Sequence, residues 1–490
     1  MIPPRFRPVL EEVAPLAQRF RDAGFRLYLV GGSVRDLLAG DPAQPTENPD
    51  HAEMDFDFTT DAHPADIKRL LAGWADAIWA QGEKFGTIGA KKRTPAGDRS
   101  YEITTHRAEA YQPDSRKPEV QFSDRIEADL SRRDFTINAM ALELTTDSPT
   151  LVDPFGGAAD LLTRTLRTPL GPHESFSDDP LRMLRAARFI ARLNATPEPG
   201  LVEAVRSMHE RLQIVSAERI RDELDKLITV PHPTAGLWFA IDTGLADEFL
   251  PELPAMRLEQ DPIHQHKDVL THTLAVVENV RPLAEWKAER GPDWPDFDFR
   301  RTRLAALFHD VGKPRTRGYA KGKGVTFHHH DAVGARMTRK RMEALRYSND
   351  DIQAVSELVF LHLRFHGYST GWTDSAVRRY VRDAGPLLQE LNVLTRCDCT
   401  TRNPKKALML AKRMDDLEVR IAELAATEEL KAIRPELDGT EVMAQLGLQP
   451  GPLVGKAMAF LLEIRLEEGL LGDEAIRRRL DNWWQQNYAE

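Results

Sequence analysis

The chain has 490 residues, too many for one ordinary core, so two to four domains are expected. Its 66 Lys and Arg stand against 76 Asp and Glu, a net charge of -10 at pH 7 that excludes a surface basic all over and confines any nucleic-acid contact to local patches. Two cysteines, Cys397 and Cys399, are too few for a disulfide framework, and their C-x-C spacing is not the usual zinc pattern. No apolar run approaches the roughly 18 residues that a membrane span needs, and "MIPPRFRPVL" lacks a signal layout, so a soluble cytoplasmic protein without membrane contact is expected.

Residues 25 to 105 mix strand-like runs (FRLYLV, MDFDFT, FGTIGA, YEITT) with helical stretches such as PADIKRLLAGWADAI, the pattern of an α/β or α+β unit. The first strand ends in Gly31-Gly32-Ser33, with a helix expected from Val34. Two glycines let backbone N–H groups approach phosphate oxygens, and Arg35 adds a charged donor; a plain tight corner is the alternative. In EMDFDFTT, strand alternation sends Asp55 and Asp57 to one face and Phe56 and Phe58 to the other. Two carboxylates at that spacing suit divalent metal ions bridging a nucleoside triphosphate and an attacking hydroxyl, or are two solvated acids. Glu102 in SYEITTHR is the candidate third acid, or a charged edge residue.

Beyond about residue 160 apolar positions recur every three to four residues, and the remainder reads as all-helical. Pro and polar residues cluster near 166–175, 250–262 and 400–406, marking boundaries. In SFSDDPLRMLRAARF, Ser177 is the expected N-cap and Pro180 falls near the first helical position, so Asp179 and Arg182 share a helix face. A carboxylate accepting from an amino group beside a guanidinium donating to a ring nitrogen matches the pairing edges of cytosine and adenine and mismatches uracil and guanine. The alternative is an i,i+3 surface salt bridge. Further on, His272, His309, Asp310, His330, His362 and Asp398 are spread along successive helices. Each alone reads as a packed core residue, but together imidazole and carboxylate groups suit a divalent transition metal. His328 and His329 lack the H-x-x-x-G spacing that His330 has.

LVGGSVRD followed by DFDFTT resembles the head of class II tRNA nucleotidyltransferases, the CCA-adding enzymes, and their relatives the bacterial poly(A) polymerases. RRDFTINAMAL is similar to that family's second motif, which implies ribose binding by Arg133, Asp134 and Asn138. DPFGGAADLLTRTLRT, from Asp153, looks like the hinge between head and neck. DDPLR resembles the base-reading motif E-D-x-x-R with Asp178 in place of Glu; the resemblance implies nucleotide binding by Asp179 and Arg182 and, further along the helix, by Arg185 and Arg188. AERIRDEL is similar to the next motif, with Arg219 and Glu223 positioning a helix. The His and Asp series resembles the HD metal-dependent phosphohydrolases, and the whole order looks most like the tRNA nucleotidyltransferases of high-GC Gram-positive bacteria.

The resemblance implies a multidomain α+β protein: a mixed-sheet nucleotidyltransferase head (1–165), then an all-α neck (166–255), an HD domain (256–400) and a helical tail (401–490). It implies Mg²⁺ at the head, with template-independent addition of C, C and A to a tRNA lacking its 3′ CCA, from CTP and ATP, releasing pyrophosphate. A poly(A) polymerase or a CC- or A-adding specialist would share every catalytic residue. A reading of another class makes the HD phosphohydrolase the main activity, on RNA 3′ ends or cyclic nucleotides. Oligomeric state has no signal in the sequence.

Overall fold

The structure, a computed structural model, describes residues 3–40, 54–94, 97–110, 119–258, 268–320, 324–367, 372–400, 403–428, 430 and 433–488. The chain divides into two compact units, Met1–Glu223 with Ala235–Glu248, and Leu224–Thr234 with Phe249–Glu490.

In the first unit, α1 (Arg7–Asp22) lines up Val9, Val13, Leu16, Ala17 and Phe20 as one buried stripe. After β1 (Leu27–Val30) come α2 (Gly32–Ala39), β2 (Met54–Thr60), α3 (Pro64–Leu71) and β3 (Ala77–Trp79). The periodicity predicts one helix from Pro64 to Ile78; α3 instead stops at Leu71, because Gly73 at φ +70° turns the chain back towards the sheet. Strands β4 (Thr87–Thr94), β5 (Gly97–Thr105), β6 (Arg107–Ala110) and β7 (Glu119–Phe122) follow, then α4 (Ile126–Ser131), β8 (Ala141–Glu143), β9 (Thr150–Val152) and α5 (Gly157–Thr163).

Seven strands form one mixed sheet in the order β3-β4-β5-β2-β1-β8-β9, with only β2 and β5 parallel. Phe56, Phe58, Ile88, Ala90, Tyr101 and Ile103 bury one face against α1. The other face is covered at its β1–β8 end, where Tyr28, Val30 and Ala141 pack on Ile126 and Leu130 of α4. Asp57, Gly89 and Glu102 emerge on this second face by alternation.

Helices α6 (Pro172–Asp178), α7 (Leu181–Leu193), α8 (Pro199–Met208), α9 (Ala217–Ile228), α10 (Thr234–Asp242) and α11 (Leu245–Phe249) come next, and the division between units falls within α9. Among the described residues the region past residue 160, read as all-helical, is helical apart from two short strand pairs: β10 (Thr165–Leu166) with β11 (Thr196–Pro197), and β12 (Arg317–Ala320) with β13 (Gly324–Phe327). The second unit is otherwise helical, with α12 (Val269–Asn279), α13 (Leu283–Arg290), α14 (Phe299–Phe308), α15 (Lys313–Thr316), α16 (His330–Ala344), α17 (Asn349–Leu361), α18 (Asp374–Ala384), α19 (Leu388–Asp398) and α20 (Pro404–Thr427). Its last helices, α21 (Gly439–Leu446), α22 (Pro452–Glu468) and α23 (Asp473–Tyr488), enclose a small core of Val442, Leu461, Ile464 and Leu480. Trp483 stacks on Phe460 at 4.8 Å and belongs to that core.

Candidate active site

Strand β1 ends in Gly31 at φ +72°, ψ -135°, a conformation that an L side chain rarely adopts. A Cβ there would lie 3.2 Å from Arg133 Nη1 and 3.8 Å from Asp57 Oδ2, so the glycine turn, the strand acid and the arginine of RRDF converge on one point. Gly32 and Ser33 open α2 directly after the turn, two residues earlier than the sequence pattern suggests. Asp57 pairs in register with Glu102 on β5, and Asp55, two residues earlier, pairs with Ser100. Asp57 and Glu102 are both exposed. Hard oxygen donors beside a strand-to-helix turn are a set that fits a hard divalent cation.

Arg35 departs from the expectation of an open donor. It is buried, donating to Asn138 Oδ1 at 2.6 Å and to both oxygens of Asp36 at 2.8 and 2.9 Å, with its guanidinium over the Phe189 ring. Asn138 in turn donates to Asp134 Oδ1 at 3.0 Å, and Arg185 donates to Asp134 Oδ2 from Nε at 2.9 Å and Nη2 at 2.6 Å. Burial alone would raise the Asp134 pKa; the Arg185 guanidinium and the Asn138 amide bring it down to about 2. Arg188, also buried, donates to Glu223, which has Arg185 Nη1 at 3.7 Å on its other oxygen. Alternating charges thus lock the RRDF segment to α7 and α9. Asp129, which the sequence reading missed, is fully buried and accepts from Arg132 at 3.1 Å and Arg133 at 3.3 Å. Its i,i+4 spacing to Arg133 was the available signal.

The base-reading segment folds differently from its sequence pattern. Ser177 lies inside α6, and α7 begins only after Pro180, leaving Asp179 in extended backbone between the two helices. Pro180 lacks an N–H to continue the ladder, which separates what reads as one helix start. Asp179 caps the Leu181 amide at 3.1 Å and accepts from Arg219 at 2.7 Å. Arg182 donates to Ser175 Oγ at 2.9 Å and to the Arg132 carbonyl. The expected shared helix face and the alternative i,i+3 salt bridge are both replaced by these partners.

In the second unit the metal-ligand candidates all come together. His272 stands in α12, His309 and Asp310 close α14, His330 opens α16, His362 closes α17 and Asp398 ends α19. Asp310 Oδ2 lies 3.3 Å from His309 Nε2 and 3.5 Å from His272 Nε2, and Asp398 Oδ1 is 2.9 Å from His272 Nε2. Asp310 Oδ1 faces His330 Nε2 at 3.4 Å and His362 Nε2 at 4.0 Å. Two ligand groups result, His272-His309-Asp310 and Asp310-His330-His362, sharing one carboxylate.

Three ring Nδ1 atoms pair with backbone carbonyls, His309 with Ala306 at 2.8 Å, His330 with Phe327 at 2.7 Å and His362 with Val359 at 2.6 Å. This aims each Nε2 at Asp310. His330 Nε2 is buried without a hydrogen-bond partner. Burial and the neighbouring His309 push the His362 pKa down to about 4, keeping it neutral as a ligand must be. Lys313 Nζ, 2.6 Å from Asp310 Oδ2, supplies a cation against the same carboxylate. Gly312 is required here, since a Cβ would meet the His330 carbonyl at 2.1 Å. His328 and His329 are exposed and outside the cluster, and Cys397 is a buried packing residue.

Among the described residues no helix is long and apolar enough to cross a membrane. Residues 27–167 match the poly A polymerase head domain, 195–256 the probable RNA and SrmB-binding site of polymerase A, and 269–425 the HD domain. The A-adding tRNA nucleotidyltransferase of Deinococcus radiodurans is 34% identical over 447 residues, 89% of this chain and 91% of that one. The CCA-adding enzyme of Lactobacillus helveticus is 38% identical over 241 residues, 49% of this chain and 55% of that one, so this chain spans about half the length of that relative. Similar folds are the Bacillus stearothermophilus CCA-adding enzyme in complex with CTP (TM-score 0.68, 22% identity, 99% and 98% of the two chains) and the Thermotoga maritima CCA-adding enzyme with tRNA (0.59, 18%, 97% and 95%). With its glycine turn, the Asp57 carboxylate and the RRDF segment joined at one point, the chain belongs to the family of tRNA nucleotidyltransferases and poly(A) polymerases.

Proposed function

We propose that the protein completes the 3′ end of tRNA by adding C, C and A from CTP and ATP, releasing pyrophosphate. The convergence of Gly31, Asp57 and Arg133, with Glu102 across from Asp57, carries this reading. Asp55, Asp57 and Glu102 hold divalent metal, generally Mg²⁺, which when bound polarises a phosphoryl oxygen and lowers the pKa of the RNA 3′-hydroxyl. The amides of Gly31, Gly32 and Ser33 face the triphosphate from the start of α2. Arg133, Asp134 and Asn138 hold the ribose, and Arg35 contributes by fixing the Asn138 amide. Asp179 and Arg182 read the base edge by exchanging Arg219 and Ser175 for the nucleotide, while Arg185 and Arg188 hold Asp134 and Glu223 in place. The two-sided cluster around Asp310 takes a divalent transition metal. Head, neck, HD region and tail divide the chain at about residues 165, 255 and 400.

A second reading, addition of the terminal A alone, is favoured by the A-adding relative that matches along 91% of its length. One experiment separates the two. The protein with Mg²⁺ is given tRNA transcripts lacking CCA or ending in CC, with CTP, ATP or both. Growth by CC with CTP, then by A with both, supports CCA addition. Extension only of the CC-ending tRNA by ATP replaces it with A addition, and long A tails on unrelated RNA replace both.

A further inference from the structure

Four residues in cross-strand register form a row across the open end of the sheet: Trp79 on β3, Gly89 on β4, Glu102 on β5 and Asp57 on β2. Neighbouring strands are about 4.8 Å apart, so the row spans roughly 14 Å from the edge to the Asp57 carboxylate. Gly89 is the step that matters. A Cβ there would lie 2.1 Å from the Trp79 Nε1 and Cε2 atoms, so the indole rests against the β4 backbone where only a glycine leaves room for it. Trp79 remains 38% exposed, and Phe85 nearby is 42% exposed. Trp79 ends the edge strand and Phe85 ends the short turn Glu83–Phe85, so two exposed rings border one opening. Between them and Glu102 lies a pocket of about 410 Å³ lined by Trp79, Phe85, Thr87, Gly89, Glu102 and Arg107. Lys84 Nζ stands 5.1 Å from the Phe85 ring centroid, a cation beside the same opening.

We infer that Trp79, laid on Gly89, is the stacking platform for the last unpaired base of the RNA acceptor, which sets its 3′-hydroxyl against the carboxylates. This rests on the nucleotidyl-transfer reading of Asp57 and Glu102. A flat π-face is sequence-tolerant, and an acceptor that ends differently after each addition needs that tolerance. Arg107, which donates to Thr87 Oγ1 at 2.8 Å, and Lys84 flank the platform with positive charge suited to the RNA backbone.

The test uses the whole protein and an acceptor-stem RNA carrying 5-iodocytidine as its 3′-terminal nucleotide, irradiated without nucleoside triphosphate. The expected product is a crosslink to the peptide carrying Trp79. In steady-state extension, Trp79→Ala should raise the KM for RNA about tenfold while the KM for CTP or ATP stays within twofold, and Trp79→Phe should restore most of the loss. Gly89→Ala keeps the indole but lifts it off the sheet, so it should mimic Trp79→Ala with a thermal melt close to wild type. A crosslink confined to other peptides, or RNA and nucleotide KM values rising together, overturns the platform. Failure of the wild type to extend any tRNA would instead sink the nucleotidyl-transfer reading, because crosslinking reports RNA docking without chemistry.

Discussion

Asp57 on β2 lies directly across from Glu102 on β5, and because these two strands run parallel in register both carboxylates leave the same face of the sheet. The phenyl rings of Phe56 and Phe58 on the opposite face are buried against Tyr101, so the core fixes the direction of the acids without using them. Asp57→Ala should therefore lower nucleotidyl transfer by about a thousandfold or more, the scale of a lost metal-ion contribution, and leave the thermal midpoint within a degree or two. Glu102→Gln should cost less, about ten- to a hundredfold. Single-turnover extension beside a melt of each variant measures both. A loss of activity matched by a lower midpoint would mean that Asp57 serves the fold.

Gly31 joins two constraints in one residue. At φ +72° an alanine is strained by about 1 kcal/mol or more, and its Cβ would crowd Arg133 Nη1 at 3.2 Å. Gly31→Ala should raise the KM for nucleotide several-fold through displaced Arg133, whereas Gly40→Ala, also at positive φ but at the far end of α2, should cost stability alone. Denaturation midpoints and nucleotide KM values for the pair distinguish crowding at the site from backbone strain.

The Asp134 carboxylate, held down to about 2 by Arg185 and Asn138 against the cost of burial, ties pH to stability with a definite sign. A depressed folded pKa stabilises above the ordinary aspartate value near 4 and loses that contribution as pH falls from about 4 through about 2. The contribution is roughly 2 kcal/mol at neutral pH. Asp134→Asn should be less stable than wild type at pH 7, with the gap shrinking as pH falls below 4. Urea midpoints across pH 3 to 7 record it; a gap independent of pH would assign the loss to shape instead of charge.

How far the sequence reaches is visible in these same residues. Strand alternation was enough to set Asp57 on the face away from Phe56 and Phe58, because a period of two depends only on local backbone, whereas Glu102 read only as an acid on a neighbouring strand until the sheet placed it across from Asp57. The His and Asp series was legible because six such residues recur along successive helices in an order that resembles the HD phosphohydrolases. Arg35 and Asp179 were harder. Their sequence neighbours suggest an open donor and a helix face, yet Asn138 and Arg219, distant in sequence, claim them in the fold. The Trp79–Gly89 contact joins an edge strand to its neighbour and has no local periodicity that would announce it. Register across strands is a tertiary fact.

In the second unit Asp310 faces both ligand groups, Oδ2 towards His272 and His309 and Oδ1 towards His330 and His362. A shared carboxylate predicts unequal effects of single substitutions. Asp310→Ala should abolish binding of divalent transition metal altogether, whereas His330→Ala should leave the His272 side able to hold an ion and His272→Ala the His330 side. Protein stripped with chelator, reloaded with Mn²⁺, Ni²⁺ or Zn²⁺ and desalted, gives the stoichiometry by elemental analysis. Metal at a hundred times its dissociation constant adds about 2.7 kcal/mol, so the wild type should melt several degrees higher when loaded and Asp310→Ala should not. Nucleotidyl transfer with Mg²⁺ should survive Asp310→Ala, because the Asp57 and Glu102 carboxylates belong to the first unit. A 2′,3′-cyclic phosphate RNA end, incubated with loaded wild type and with Asp310→Ala, then reads hydrolysis: opening by the wild type alone makes the cluster a second active centre, and equal behaviour makes it a structural metal site.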